Sequence, residues 1–199
     1  QLKQPKYIDY LHEAITQLTI KTILSPSKDK LETLVDALCY IGNQPGIIFC
    51  NFKESIQRVS DFLNAANISH GCFHGDMEQI DRERTLVKFR NGTHQVIVAT
   101  DLASRGLDIP AIKFILHYQL PLREQEFTHR NGRTARMKSD GTAYILAYKN
   151  EKLPDFVGKP AIEVIQPAPL PAPSKWKTLY ISGGRRDKIS KSDIAGLFM

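Results

Sequence analysis

Cysteine is scarce in this chain and poorly spaced for cross-linking. Cys39, Cys50 and Cys72 are three residues at wide intervals with no C-x-x-C pair, which favours neither a disulfide framework nor a zinc site; a reducing cytoplasm is the expected location. Long apolar runs are missing too. No stretch of eighteen apolar residues occurs, so no transmembrane helix and no membrane partner are expected. The opening "QLKQPKYIDYL" lacks the apolar core of a secretory signal and does not start with Met, which reads as a piece cut from a longer chain. Nor is there any G-x-x-x-x-G-K-[ST] loop to cradle phosphates.

What is present is a globular composition. The 199 residues are 42% hydrophobic and 24% charged, enough for one core of ordinary size and an appendage. The net charge of +6 is unevenly placed: residues 174–199 carry six basic and two acidic side chains, a net of +4, which leaves +2 for everything before them. Charge alone leaves the tail open to either a nucleic-acid partner or a plain solvated basic surface, whereas for the body a nucleic-acid partner has to be argued from particular residues.

Short β-branched runs alternate with amphipathic stretches. Strands are expected at 19–24, 46–50, near 70–75, and at 95–100, 113–120 and 141–148. Helices are expected from the spacing of Leu31, Leu34, Val35 and Leu38, and again from Ile56, Val59, Leu63 and Ala66. A further helix within 76–92 is closed by Asn91-Gly92, and another carries the arginine-rich segment before 141. Strands separated by helices at this interval imply βαβ units, hence a parallel sheet covered on both faces, with ligands beyond the carboxyl ends of the strands. "QPAPLPAPSK" (166–175) is a stiff linker. After it come one expected strand ended by Gly183-Gly184 and a helix start near Lys191, read either as the opening of a second domain or as a tail docked on the first.

Two stretches carry chemistry. "HRNGRTAR" (129–136) packs Arg130, Arg133 and Arg136 beside His129 around one glycine. Such charge needs acidic partners or an anionic ligand. "VIVATDLASRGLDIP" (96–110) ends a strand at Thr100-Asp101 and continues into a loop with Arg105, Gly106 and Asp108. Gly106 permits close backbone approach to a phosphate or ribose. Thr100 is a suitable donor to phosphate oxygens, Asp108 an acceptor from a ribose hydroxyl, and Asp101 an internal partner for an arginine of the cluster. His70, Cys72 and His74 also allow a zinc reading, but alternate residues of a strand face opposite sides.

Taken in order, "IIFCNFKES", "HGDMEQIDRERTLVKFRNG", "ATDLASRGLDIP" and "HRNGRTAR" resemble motif IV, the Gln79-x-x-Arg82 signature, motif V and motif VI of DEAD-box RNA helicases, within superfamily 2. The likeness runs from about Ile15 to Tyr148. It implies an α/β fold, a RecA-like three-layer sandwich with a mostly parallel sheet covered by helices on both faces. Its domains would be an interlobe linker at 1–18, the C-terminal RecA-like lobe at 19–165, the Pro/Ala linker at 166–175, and at 176–199 the start of the RRM-like RNA-binding domain found in DbpA-type bacterial members.

The same resemblance assigns roles. Arg133 and Arg136 become arginine fingers toward the γ-phosphate of ATP, an effect of roughly 10³ to 10⁵ in rate in comparable systems. Asp108 and Gly106 join them at the nucleotide. Thr100, Arg82 and Gly75, with backbone near Asn51 and Lys53, grip the RNA chain. His129, Arg130, Asp101, Gln79 and Arg105 support both groups, Arg130 by holding Asp101. Arg82 has an alternative as an ordinary charged helix surface with Glu78 and Glu83. ATP is expected with Mg²⁺ held by an N-terminal RecA-like lobe, because neither the phosphate-cradling loop nor a D-E-A-D sequence is in these residues; by itself the chain is expected to be catalytically silent. No metal ligand is assigned here. Partners implied are RNA, large-subunit ribosomal RNA in particular, and the N-terminal lobe; local duplex unwinding in ribosome assembly is the implied task. Ser104 where Ala is usual, Asn131 where an aliphatic residue is usual, and Ala135 where Gly is usual depart from the family pattern. Two other readings fit less of the sequence: a docking module without catalysis, and a DNA-directed superfamily 2 translocase.

Overall fold

The computed structural model describes residues 18–101, 112–134 and 141–198. Seven strands form one sheet: β1 (Leu18–Ser25), β2 (Gly46–Phe49), β3 (His70–Phe73), β4 (Val96–Ala99), β5 (Phe114–His117), β6 (Gly141–Tyr148) and β7 (Ala161–Ile162). Their order is β3-β4-β2-β5-β6-β1-β7, and every pairing among the described residues is parallel. Every residue of β2, β4 and β5 is buried, as expected for central strands covered on both sides.

The pleat sorts these side chains to two faces. Ile48, Val96, Val98, Phe114, Leu116 and Leu146 face α1 (Leu31–Ile41) and α2 (Lys53–Ala65), whose Leu34, Leu38, Val59 and Leu63 complete one core. On the opposite face Ile47, Phe49, Ile97 and Ile115 meet Phe89 of α3 (Gln79–Arg90). Ile145 and Ala147 meet Phe127 of α4 (Glu124–Asn131). The result is the three-layer α/β sandwich that the alternation of strands and helices implies. Gly42 ends α1 with a φ of +75°, a conformation that glycine adopts without steric cost.

The segment after the linker differs from expectation. Residues 166–175 hold no helix or strand, and α5 (Lys191–Gly196) starts where expected, closed by a capping box of Ser190 and Asp193. No strand forms at 177–182. A strand is stable only beside another, and this segment lies against α3 instead. Thr178 Oγ1 is 2.8 Å from Thr93 Oγ1, Ser174 Oγ donates to the Gly92 carbonyl at 2.6 Å, and the Arg84 guanidinium sits 4.2 Å from the centre of the Tyr180 ring. Among the described residues this segment packs on α3 and the turn after it.

Candidate functional site

The strands end together at one edge of the sheet, where a cavity of about 520 Å³ opens. Asn51 follows β2, Gly75 and Asp76 follow β3, Thr100 and Asp101 follow β4, and Pro121 and Leu122 follow β5; Lys53 begins α2 on the same wall. Asn51, Lys53, Gly75 and Thr100 are thereby brought together, as the parallel topology dictates. No side chain caps the N-terminus of α2. Its leading N–H groups and the helix dipole favour an anion at that wall. Lys53 pairs with Asp76 at 2.6 Å, both well exposed; the pair raises the lysine pKa and lowers that of the carboxyl. An exposed pair of this kind is weak and readily exchanged for another anion.

Arg82 reaches back from α3 to donate to the Gly75 carbonyl, fixing the loop after β3. The alternative of a purely helical charge ladder falls instead to its neighbours: Gln79 donates to Glu83 at 2.8 Å, and Arg84 pairs with Asp81 at 3.1 Å.

The arginine-rich segment is split by the end of α4. Of its described residues, His129, Arg130 and Asn131 lie in the helix. The chain then continues as a tighter turn, with the Arg133 and Thr134 N–H groups donating to Arg130 and Asn131 carbonyls at 3.1 and 3.2 Å. Arg130 and Arg133 therefore do not share one helical face. Arg130 points inward and is 1% exposed. Its Nε and Nη2 donate to the two Asp101 carboxylate oxygens at 2.7 and 2.5 Å, Nη2 also to Asn51 Oδ1 at 2.8 Å, and Nη1 to the Gln119 carbonyl at 2.6 Å. The guanidinium also lies 5.0 Å from the centre of the Phe49 ring. One side chain thus ties the ends of β2, β4 and β5 to α4. Arg133 is partly buried in the turn, and His129 is exposed on the last turn of α4. Arg105, Gly106, Asp108 and Arg136 lie outside the described residues.

Three participants escaped the sequence reading. Gln119 accepts the Asn51 N–H on its side-chain oxygen at 2.9 Å as well as binding Arg130 through its carbonyl. His117, fully buried at the end of β5, meets Asn131 Oδ1 at 3.0 Å and packs 4.9 Å from the Phe127 ring centre. Burial holds its pKa down at about 3, against a smaller opposing effect of the Asn131 hydrogen bond. Asn131, the departure from the aliphatic pattern, is therefore the buried partner of an equally polar strand residue. The third is Asp76. The signal for the first two was a pair of polar residues inside the apolar run "KFILHYQL".

Among the described residues no group of three His, Cys, Asp or Glu side chains is arranged to hold a metal ion. His70 has both ring nitrogens engaged, with Ser60 Oγ at 2.8 Å and the Ile68 carbonyl at 2.8 Å. Its Nδ1–H donates to the carbonyl and its Nε2 accepts from the hydroxyl, so the ring is held by protein groups.

The model of the helicase conserved C-terminal domain matches residues 29–138, more than half the chain, and the chain belongs to that family. Within it, this is a C-terminal lobe of the DEAD-box type. It is 34% identical to the ATP-dependent RNA helicase DbpA of Escherichia coli over 178 residues, covering 85% of this chain and 39% of that one. It is similar to the E. coli DEAD-box protein SrmB in its crystal structure with regulator of ribonuclease activity A, with a TM-score of 0.65, 27% identity, and coverage of 82% of this chain and all of that one. It is also similar to Saccharomyces cerevisiae Dbp5 bound to RNA and ADP BeF3, with a TM-score of 0.60, 26% identity, and coverage of 68% of this chain and 36% of that one. The chain spans well under half the length of the curated relatives it matches.

Proposed function

We propose that this lobe acts with an N-terminal RecA-like lobe as an ATP-dependent RNA helicase, and that its two contributions are a grip on the RNA backbone and a pair of arginines for ATP hydrolysis. The observation that carries the reading is the cavity at the strand ends, which gathers Asn51, Lys53, Gly75 and Thr100 beside an internally tied Arg130. The division of labour among the arginines is the one that the resemblance to motif VI implies. Arg130 is satisfied by Asp101 and holds the frame; Arg133 follows it in the turn, and Arg136 comes three residues later. Arg133 and Arg136 are the arginine fingers, with Asp108 and Gly106 at the nucleotide ribose and Arg105 in support. Mg²⁺ accompanies ATP and is held by carboxylates of the N-terminal lobe. Closure of the two lobes on both ligands makes ATP and RNA strengthen each other's binding, which separates short duplexes locally without translocation.

The likeness to DbpA and to Dbp5 bound to RNA and ADP BeF3 supports RNA and ATP as the ligands. The finer reading takes 1–18 as the interlobe linker, 19–165 as the lobe, 166–175 as a second linker and 176–199 as the start of an RRM-like domain directed to large-subunit ribosomal RNA. It places the work in ribosome assembly in the cytoplasm; the DbpA likeness over 85% of the chain and the three free thiols support it. The test is RNA-stimulated ATP hydrolysis by this chain alone and joined to a DEAD-box N-terminal lobe. The expected result is silence alone, turnover when joined, and a loss of roughly 10³-fold with Arg133→Ala or Arg136→Ala. Turnover that survives both substitutions overturns the arginine-finger assignment.

A further inference from the structure

We infer that Asp76 is an internal competitor for RNA at the strand-end cavity: its carboxylate occupies the Lys53 ammonium in the free lobe, and a phosphate of the RNA chain must displace it to bind there. The inference rests on RNA being gripped at this cavity, and its test separates the two claims.

Both residues line the cavity, Lys53 at the start of α2 and Asp76 on the turn after β3. Lys53 Nζ lies 2.6 Å from Asp76 Oδ2. Their strands β2 and β3 are separated by β4 in the sheet, so the contact bridges two different crossovers. The turn that presents the carboxylate is braced: the Met77 N–H donates to the His74 carbonyl at 3.3 Å, and Arg82 donates to the Gly75 carbonyl. Of the other acids at the cavity, Asp101 is held by Arg130 and Glu126 stands on α4. Glu54 adjoins Lys53 on α2 and acts on it more weakly than Asp76 does.

A phosphate and the Asp76 carboxylate carry the same sign and seek the same ammonium, so each weakens the hold of the other. The Lys53 ammonium beside it keeps the Asp76 carboxyl below the usual carboxylate range, which makes the competitor an anion at neutral pH. The two side chains are 54% and 67% exposed. Solvent therefore screens the pair, and opening it costs little. A carboxylate displaced from Lys53 also keeps favourable charge nearby, because His74 and Arg82 act on it in the same direction. The result is a lowered affinity and not a blocked site. A lone small anion has to win Lys53 from Asp76 by that one contact, whereas an RNA chain brings contacts at Asn51, Gly75 and Thr100 as well, so the competitor favours the chain.

Anisotropy of a fluorescein-labelled oligouridylate of about 15 nucleotides, bound to the whole chain, tests this in a double-mutant cycle. Asp76→Asn keeps the shape and removes the charge; it should tighten binding by about 2- to 5-fold. Asp76→Glu, which keeps the charge, should stay closer to wild type. Lys53→Ala should weaken binding. In the Lys53→Ala background most of the gain from Asp76→Asn should vanish, because no ammonium is left to compete for and only repulsion through solvent is relieved. Equal gains in the two backgrounds would overturn the competition and leave a general effect of net charge. No gain, or a loss, with Asp76→Asn while Lys53→Ala still weakened binding would also overturn it, and the cavity would stand as the RNA grip. Binding that none of these variants alters would place RNA elsewhere on the lobe and overturn both the grip and its competitor.

Discussion

Arg130 and Asp101 form a forked pair, Nε to Oδ1 at 2.7 Å and Nη2 to Oδ2 at 2.5 Å, with the arginine 1% exposed and the carboxylate 23% exposed. A buried arginine is tolerable only when its donors are used, and here the fork is spent on Asp101, Asn51 and the Gln119 carbonyl. Arg130→Met removes the cation and strands the Asp101 carboxylate, so it is expected to cost about 3–5 kcal/mol in urea unfolding. Arg130→Lys should recover only part of that, because an ammonium cannot reproduce the planar fork. A loss under 1 kcal/mol for Arg130→Met would mean that the pair does not hold the strand ends together.

His117 is expected to make the protein acid-sensitive. Its folded pKa of about 3 lies below the ordinary 6.5, with burial the main cause. The unfolded chain therefore binds this proton and the folded one does not between those values. Stability from keeping His117 neutral is complete above about pH 6.5 and is lost as pH falls toward 3. From pH 7 to pH 5 the expected decrease is about 2 kcal/mol for this residue. His94, lowered to about 4 chiefly by burial, acts in the same direction. His117→Gln keeps a side-chain partner for Asn131 but cannot titrate. Unfolding free energies at the two pH values should converge in the variant by about that amount, and an undiminished pH dependence would assign the acid sensitivity elsewhere.

The elements were legible because their signals are local. Short apolar runs marked six of the strands to within three residues of their ends, with the alternation of Ile47, Ile48 and Phe49 between two cores following from the pleat alone. The residue pair β7, Ala161–Ile162, is too short to leave a pattern. The expected strand at 177–182 failed because its sequence states a propensity and not a neighbour; Thr178 and Tyr180 find α3 where a sheet edge was expected. At the site, the motifs marked the residues around the cavity, but the direction each side chain takes was not readable. Asn51 looks like a surface polar residue in sequence. It turns inward to Arg130 and the Leu120 carbonyl, because the strand ends it joins come together only in the folded sheet; for Arg130 the pairing with Asp101 was implied by the motif resemblance, and its further bonds to Asn51 and the Gln119 carbonyl were not.

Gly141 and Thr134 meet across the start of β6. A Cβ on Gly141 would run into the Thr134 hydroxyl, which is buried and donates to the Ile112 carbonyl at 2.9 Å. Thr134 directly follows Arg133, so a push on this side chain moves the turn that carries the arginine. Gly141→Ala should cost about 1–3 kcal/mol by overpacking. Combining it with Thr134→Ala should cost less than the sum of the two, since the second change removes the obstructing hydroxyl. In a lobe-joined ATPase, Gly141→Ala should reduce kcat more than the RNA affinity. Additive free energies in the double variant would show that the two side chains do not collide.

Asn51 and Lys53 are two residues apart and line the same cavity, yet substitution should separate them. The Lys53 side chain pairs across exposed surface with Asp76, so Lys53→Ala should leave stability in urea unfolding unchanged. If its ammonium neutralises one phosphate, the same change should weaken RNA binding and lower the salt slope by about one. Asn51 has the opposite balance: its amide donates to the Leu120 carbonyl at 2.9 Å and its oxygen accepts from Arg130 at 2.8 Å. Asn51→Ala leaves both partners unsatisfied and should cost about 1–3 kcal/mol. Its effect on RNA should come through misplaced strand ends and leave the salt slope unchanged, because no charge is lost. Anisotropy at several salt concentrations, with urea unfolding of the same variants, reads both quantities. A changed slope for Asn51→Ala, or a large stability loss for Lys53→Ala, would reverse the assignment of one residue to the frame and the other to the ligand.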